Sequence, residues 1–300
     1  MKDIIRAISF EHLYCYPDSI ERCSEGIGNY VYRVRCGHNR YIIRITTESG
    51  AYDETICWLT KLHDLDIPVP QIVKHGHFQQ YVYLILTYLD GEDIGLVYPY
   101  LTAEEKKEIA ISLVQIQEKV AAIRPEISPD WSWHTFVQGV LDRAENRILQ
   151  NGYFTGDNVD KLRVEAKQLD DYFSQVKPTA YLDDISSKNL LIHNGHLSGI
   201  IDVDWIGLGD KITYIALTYV ALLNMEYDTD YVSFLLEETA LSLIQRKAFY
   251  FYSLMYCVDF MGERGMCFMD KKVEVNQTII NRLNRIYRFL WNQWENTPLK

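Results

Sequence analysis

The hydrophobic and polar positions change texture once along the chain. Residues 30–36 (YVYRVRC) and 40–46 (RYIIRIT) are rich in β-branched and aromatic side chains and flank Gly37-His38-Asn39, which predicts a β-hairpin. Residues 52–65 place Ile56, Leu59 and Leu62 three apart, the spacing of one apolar helical face, and Pro68-Val69-Pro70 then stops the helix. The apolar run 80–89 (QYVYLILTYL) predicts a buried strand ending at Asp90-Gly91. Beyond it the pattern becomes helical. Thr102 and Glu105 form a capping box for a helix to about residue 120, and residues 135–150 and 159–176 predict two more. A hairpin interrupts at residues 190–202, where LLIH and LSGIID are separated by Asn194-Gly195, and helices resume from residue 213, including an amphipathic stretch over 273–294. These elements predict an α+β fold with a β-rich part over residues 1–92 and a mostly helical part over 93–300.

Composition narrows the class. A hydrophobic fraction of 48% with 24% charged residues supports a substantial core and excludes a disordered chain. Thirty basic against 41 acidic residues give a net charge of −11, which argues against nucleic-acid or anionic-membrane binding and mildly favours cationic small molecules. No window approaches the ~20 apolar residues of a membrane span, and the start MKDIIRAISF lacks the features of a leader, so a cytoplasmic protein is expected. Cys15, Cys23, Cys36, Cys57, Cys257 and Cys267 show no CxxC or zinc-type spacing, and reduced thiols are expected.

The chemistry concentrates in YLDDISSKNLLIHNGHLSGIIDVDWIGLGD, residues 181–210. Asp184 and Asn189 lie five apart in a loop before the hairpin, and Asp202 follows its second strand. Phosphoryl transfer needs such a set: a carboxylate for the attacking hydroxyl, and an amide and second carboxylate for Mg²⁺ on the nucleotide phosphates. The alternative is structural, with Asp184 capping a turn, Asn189 bonding a loop and Asp202 forming a salt bridge. Upstream, Ser24, Gly26 and Gly28 precede a strand in a segment able to bring backbone N–H groups to phosphates, or simply to make a tight turn. Arg44 places a charge among Ile42, Ile43 and Ile45 and requires a partner, either phosphate or solvent at a sheet edge; Glu54 on the following helix is positioned to brace it. His193 and His196 straddle the turn without further ligands for zinc.

The order of these elements resembles the aminoglycoside phosphotransferase and choline kinase-like families of the protein-kinase superfold. The most specific part is Asp-x4-Asn, then Ile201-Asp202 and Gly207-Leu208-Gly209-Asp210. The resemblance implies a two-lobed protein-kinase-like fold, with Asp184 as catalytic base and Asn189 and Asp202 as Mg²⁺ ligands. Ser24, Gly26, Gly28, Arg44 and Glu54 would serve the phosphates, the backbone of Thr87 and Leu89 the base edge, and Asp210 would be structural. Asp204 would assist the metal or merely share a face with Asp202. Leu182-Asp183 stands where the family has His-Gly, Arg44 where lysine is commoner, and Glu54 is one residue out of register.

By position, Glu226, Asp228, Asp230, Asp259 and Glu263 are the carboxylates for a small hydroxylated, possibly cationic acceptor, with Tyr227, Tyr231, Tyr252 and Tyr256 available to stack on it. The implied activity is transfer of the γ-phosphoryl of ATP or GTP to a substrate hydroxyl, with an aminoglycoside as the leading acceptor. Choline or another amino alcohol, a macrolide, homoserine or a sugar are alternatives, as is a nucleotide-binding pseudokinase acting as an interaction module.

Overall fold

A computed structural model describes residues 1–23, 30–268 and 271–299. Ser24, Gly26 and Gly28 lie outside the described residues. The chain divides into two compact units, Met1–Glu92 with Leu190–Trp205, and Asp93–Asn189 with Ile206–Lys300. The two contiguous segments expected, 1–92 and 93–300, differ from this division in one respect: the stretch from Leu190 to Trp205 returns to the β-rich unit.

That unit begins with helix α1 (Lys2–Leu13) and strands β1 (Ser19–Arg22), β2 (Tyr30–Cys36) and β3 (Asn39–Thr46), followed by helix α2 (Asp53–Asp64), β4 (Ile72–Phe78) and β5 (Tyr81–Thr87). The five strands form an antiparallel sheet in the order β1-β2-β3-β5-β4. Register across the sheet places Tyr32 opposite Ile43 and Ile43 opposite Ile85, with Ile45 opposite Tyr83. Strand alternation puts these side chains on one face, where they pack with Ile5 and Ile8 of α1 into a single core cluster. Burying each isoleucine contributes about 1.5–3 kcal/mol. Helix α1 is absent from the expected elements. Its short apolar stripe becomes decisive only against the sheet it covers.

Alternation also sends Arg44 to the opposite face of β3 from Ile43 and Ile45, so its charge leaves the α1 core. The expected turn between β2 and β3 is present, with Gly37 at φ 60°. One expectation is corrected here: Cys15 and Cys36 are joined in a disulfide, their Cα atoms 6.1 Å apart. The fold brings the chain just beyond α1 to the end of β2, a proximity that cysteine spacing does not encode.

The hairpin Leu190–His193 and His196–Ile200 turns at Asn194 and Gly195, with φ values of 51° and 78°. Both positive values suit the two-residue turn that Asn-Gly favours. Ile200 N–H donates to Pro68 O at 2.8 Å, and Ser198 Oγ donates to Asp90 O at 2.6 Å, which ties the hairpin to the loops flanking β4 and β5. Leu89 packs so closely that a Cβ on Gly199 would lie 2.6 Å from its Cδ1.

The second unit is helical. Its long central helix Leu243–Glu263 packs against Trp133–Asn151, Ile212–Met225 and Gln277–Asn296. Ala103–Ala121 starts at Thr102 with the expected capping box, Glu105 Oε2 accepting from Thr102 N at 2.8 Å. The single helix expected over 159–176 is instead Asp157–Ala166 followed by a short 3-10 turn and Asp170–Phe173. None of the described helices is long and apolar enough to cross a membrane.

Asp210 anchors the interior of this unit. Its carboxylate accepts from Tyr172 Oη at 2.6 Å, Tyr252 Oη at 2.9 Å and Ile212 N at 3.1 Å, while Trp133 Nε1 donates to Tyr252 Oη at 2.8 Å. Burial pushes the Asp210 carboxyl above its ordinary range, and these donors pull it back. Tyr252→Phe removes a donor from Asp210 and the acceptor of a buried indole N–H. The expected loss, read from the urea midpoint at unchanged m, is about 1–3 kcal/mol.

Candidate active site

Asp184 and Asn189 lie in the helical unit. The segment leading to them pairs Tyr181 with Gly207 in a short antiparallel ladder, where a Cβ on Gly207 would meet the Tyr181 ring at 2.6 Å. Asn189 is buried, with φ 69°, a left-handed conformation that asparagine tolerates better than most residues. Its Nδ2 donates to Asp184 O at 2.8 Å, which orients the amide with its carbonyl oxygen away from that bond. Its backbone N–H donates to Asp93 Oδ2 at 3.0 Å, while Asp93 Oδ1 accepts from Gly95 N at 3.1 Å. Asp184 is half-buried; its N–H donates to Asp183 Oδ1 at 2.9 Å, and its Oδ2 lies 2.9 Å from Lys188 Nζ.

The histidine that the resembling families place before this aspartate is replaced by Leu182, which is buried. Gln117 holds it from the helix Ala103–Ala121. The Gln117 Nε2 donates to Leu182 O at 2.8 Å, and Leu182 N donates to Gln117 Oε1 at 2.9 Å. Gln117 is only 1% exposed. The sequence carried a signal for it, a polar residue beside Leu113, Ile116 and Val120 on the apolar stripe of its helix.

Arg44, Asp202 and Asp204 lie in the β-rich unit. Asp204 receives a two-pronged ion pair, Arg44 Nη1 to Oδ1 and Nη2 to Oδ2, both at 2.6 Å, and Thr55 Oγ1 donates to Oδ1 at 2.8 Å. Burial penalises both charges. The pair nonetheless holds Arg44 above and Asp204 below their ordinary ranges, because each hydrogen-bonds the charged form of the other. The guanidinium also lies 5.4 Å from the Tyr52 ring centroid, and burial raises that phenol.

Glu54, expected to brace Arg44, is exposed. One residue along an α-helix is about a 100° rotation, which turns Thr55 inward and Glu54 outward. Asp202 is exposed with φ 59°, two residues before Asp204. In the segment whose backbone is expected at a base edge, Thr87 N–H donates to Gln71 O at 2.9 Å and Leu89 lies against Gly199.

The acids expected to hold a cationic acceptor are mostly neutralised within the helical unit. Glu226 pairs with Arg285 at 2.9 Å and Arg282 at 3.4 Å, and Asp228 with Lys106 at 2.8 Å. Asp259 is buried against Arg143 at 2.9 Å and Arg147 at 3.4 Å, and Glu263 lies 3.7 Å from Arg147. Asp230 opens the helix Asp230–Thr239, its N–H donating to Asp228 Oδ1 at 3.3 Å. Tyr231 and Tyr252 are core residues and Tyr227 stacks on Tyr98. A groove of about 440 Å³ lies elsewhere in this unit, lined by Asp130, Trp131, Phe136, Tyr181 and Asp183. Asp183 is thus the acidic neighbour of Asp184 that faces open space. Among the described residues no three His, Cys, Asp or Glu side chains cluster as a metal site.

The chain belongs to the phosphotransferase enzyme family, whose model matches residues 19–237. No curated protein matches it. Among solved structures it is similar to a thermostable mutant of aminoglycoside phosphotransferase APH(4)-Ia in its apo form, at 14% identity and a TM-score of 0.63 over 97% of each chain. It is similar to ADP-bound aminoglycoside phosphotransferase APH(2'')-Ib at 13% identity and 0.62, covering 97% of this chain and 98% of that one. The ternary complex of streptomycin, ATP and APH(2'')-IIa gives 12% identity and 0.60 over 98% of each chain. These likenesses establish the fold as that of the kinase-like aminoglycoside phosphotransferases.

Two measurements test the site's supports. Gln117→Leu strands the buried N–H and C=O of Leu182 and is expected to cost about 2–4 kcal/mol in chemical denaturation. Asp204 has a folded pKa below its unfolded value, so its contribution is complete above about pH 4 and is lost as pH falls through the lower folded value. Below about pH 4, the stability of Asp204→Asn is therefore expected to fall less steeply than that of the unsubstituted protein in acid titrations of the denaturation midpoint.

Proposed function

We propose that this protein transfers the γ-phosphoryl group of ATP or GTP to a hydroxyl of a small molecule. The observation that carries the reading is the bond from Asn189 Nδ2 to Asp184 O at 2.8 Å. It locks a carboxylate-bearing residue and an oxygen-presenting amide into one rigid loop, in a chain of the phosphotransferase enzyme family. Asp184 orients the acceptor hydroxyl and takes its proton as the phosphoryl group is attacked. The Lys188 ammonium lies 2.9 Å from Asp184 Oδ2 and helps to fix where that carboxylate stands.

The carbonyl of Asn189 and the exposed carboxylate of Asp202 are hard oxygen donors of the kind Mg²⁺ takes, a metal that needs one or two protein oxygens besides the phosphates. When bound with the nucleotide, Mg²⁺ would offset phosphate charge. Arg44 supplies the fixed positive charge on the protein side, and Ser24, Gly26 and Gly28 complete the phosphate contacts in this reading. Leu89 contributes its backbone to the nucleotide base.

For the acceptor, the groove beside Asp183 is the site we favour. Its two carboxylates and aromatic walls suit a hydroxylated molecule with a cationic and an apolar face. Aminoglycosides are the first class to assay, since the similar structures include a complex with streptomycin. Amino alcohols, macrolides, homoserine and sugars follow.

The test is nucleoside diphosphate release with Mg-ATP and Mg-GTP across such a panel. Acceptor-dependent release is expected, falling roughly 10²- to 10⁴-fold in Asp184→Asn, while nucleotide still raises its melting temperature. Full turnover by Asp184→Asn would remove the base assignment. Nucleotide binding without release for any acceptor would instead favour an interaction module.

A further inference from the structure

The Arg44–Asp204 pair is unusual in where its carboxylate comes from. Arg44 is on β3, and the helix that follows offers two acids in its first turn, Asp53 and Glu54. Both are exposed, and neither appears among the partners of Arg44. The carboxylate comes from residue 204, 160 positions along the chain and two beyond Asp202. Helix α2 contributes only the Thr55 hydroxyl, which is buried and bonds the same carboxylate oxygen as Arg44 Nη1.

A guanidinium has five N–H donors in a planar fork. Asp204 takes one from Nη1 and one from Nη2, and Nε is buried without a hydrogen-bond partner among the described residues. The second N–H of each Nη is not taken by Asp204. The direction of both follows the plane of the guanidinium, and that plane is set by the two short bonds to Asp204. The carboxylate is itself held in rotation by Thr55. Moving residue 204 therefore turns the donors of Arg44.

We propose that Asp204, braced by Thr55, is the positioning residue that aims Arg44 at the donor phosphates, in the place Glu54 occupies by sequence order. The inference rests on the phosphoryl-transfer reading above. It adds that the strand cation is oriented by the segment carrying Asp202, so the groups serving phosphate and metal move together. Asp202 and Asp204 are separated only by Val203, which is buried.

The experiment is calorimetric titration of Mg-ATP and Mg-GTP into the full chain and into Asp204→Glu, Thr55→Val and Glu54→Gln, with melting temperatures alongside. Asp204→Glu keeps the ion pair but displaces the carboxylate by one methylene. Thr55→Val keeps the charges and removes one hydrogen bond. Both are expected to weaken nucleotide binding, Asp204→Glu by about 10-fold and Thr55→Val by about 3-fold, beyond any change that melting temperature explains. Glu54→Gln is expected to bind like the unsubstituted protein. The proposal is overturned if Asp204→Glu and Thr55→Val retain full affinity, or if Glu54→Gln is the variant that loses it. Failure of the unsubstituted protein to bind either nucleotide would instead remove the phosphoryl-transfer reading, and this inference with it.

Discussion

The β-rich unit is built around a buried guanidinium, that of Arg44. An isolated buried charge costs several kcal/mol even after relaxation, so the fold must deliver a carboxylate to a face of β3 that the sequence leaves without one. It does so by bringing back the chain from Leu190 to Trp205. The hairpin is held by Ile200 on Pro68 and by Ser198 on Asp90, and Gly199 admits Leu89. These contacts set where residue 204 emerges. Asp202, two residues earlier, is placed by the same anchoring. A requirement of charge neutralisation thereby also decides where a residue of the candidate chemistry stands.

The helical unit solves a different problem. A loop carrying Asp184 and Asn189 must hold its shape although its backbone departs from regular structure. Asn189 in the left-handed region bonds back to the Asp184 carbonyl, Asp93 receives its N–H, and Gln117 satisfies both polar groups of Leu182. Each of these bonds satisfies a backbone group that would otherwise be buried at a cost. The replacement of histidine by leucine before the aspartate is accommodated in this way. Support comes from a helix distant in sequence.

Charge accounting also separates the acids of this chain into kinds. Glu226, Asp228, Asp259 and Glu263 look alike in the sequence, as a carboxylate-rich region suited to a polycation. In the fold they meet Arg282, Arg285, Lys106, Arg143 and Arg147, and so serve helix packing. Asp130 and Asp183 stand outside that region, yet they line a groove with Trp131, Phe136 and Tyr181. A surface of net charge −11 is therefore a poor guide to which carboxylates can meet a ligand.

Local rules determined much of this protein from sequence alone. β-branched and aromatic runs specified β2 and β3, a continuous apolar run specified β5, Asn194-Gly195 specified the hairpin, and Thr102 with Glu105 specified a helix start, because each depends on neighbours within a few residues. The spacing of Asp184, Asn189 and Asp202 was legible for the same reason. What tertiary structure alone decided were pairings across long separations: α1 on the sheet, Cys15 with Cys36, Gln117 with Leu182, and Arg44 with Asp204 in place of Glu54. Electrostatic and hydrogen-bond partners are chosen by distance in space. Sequence order reports that distance only within an element.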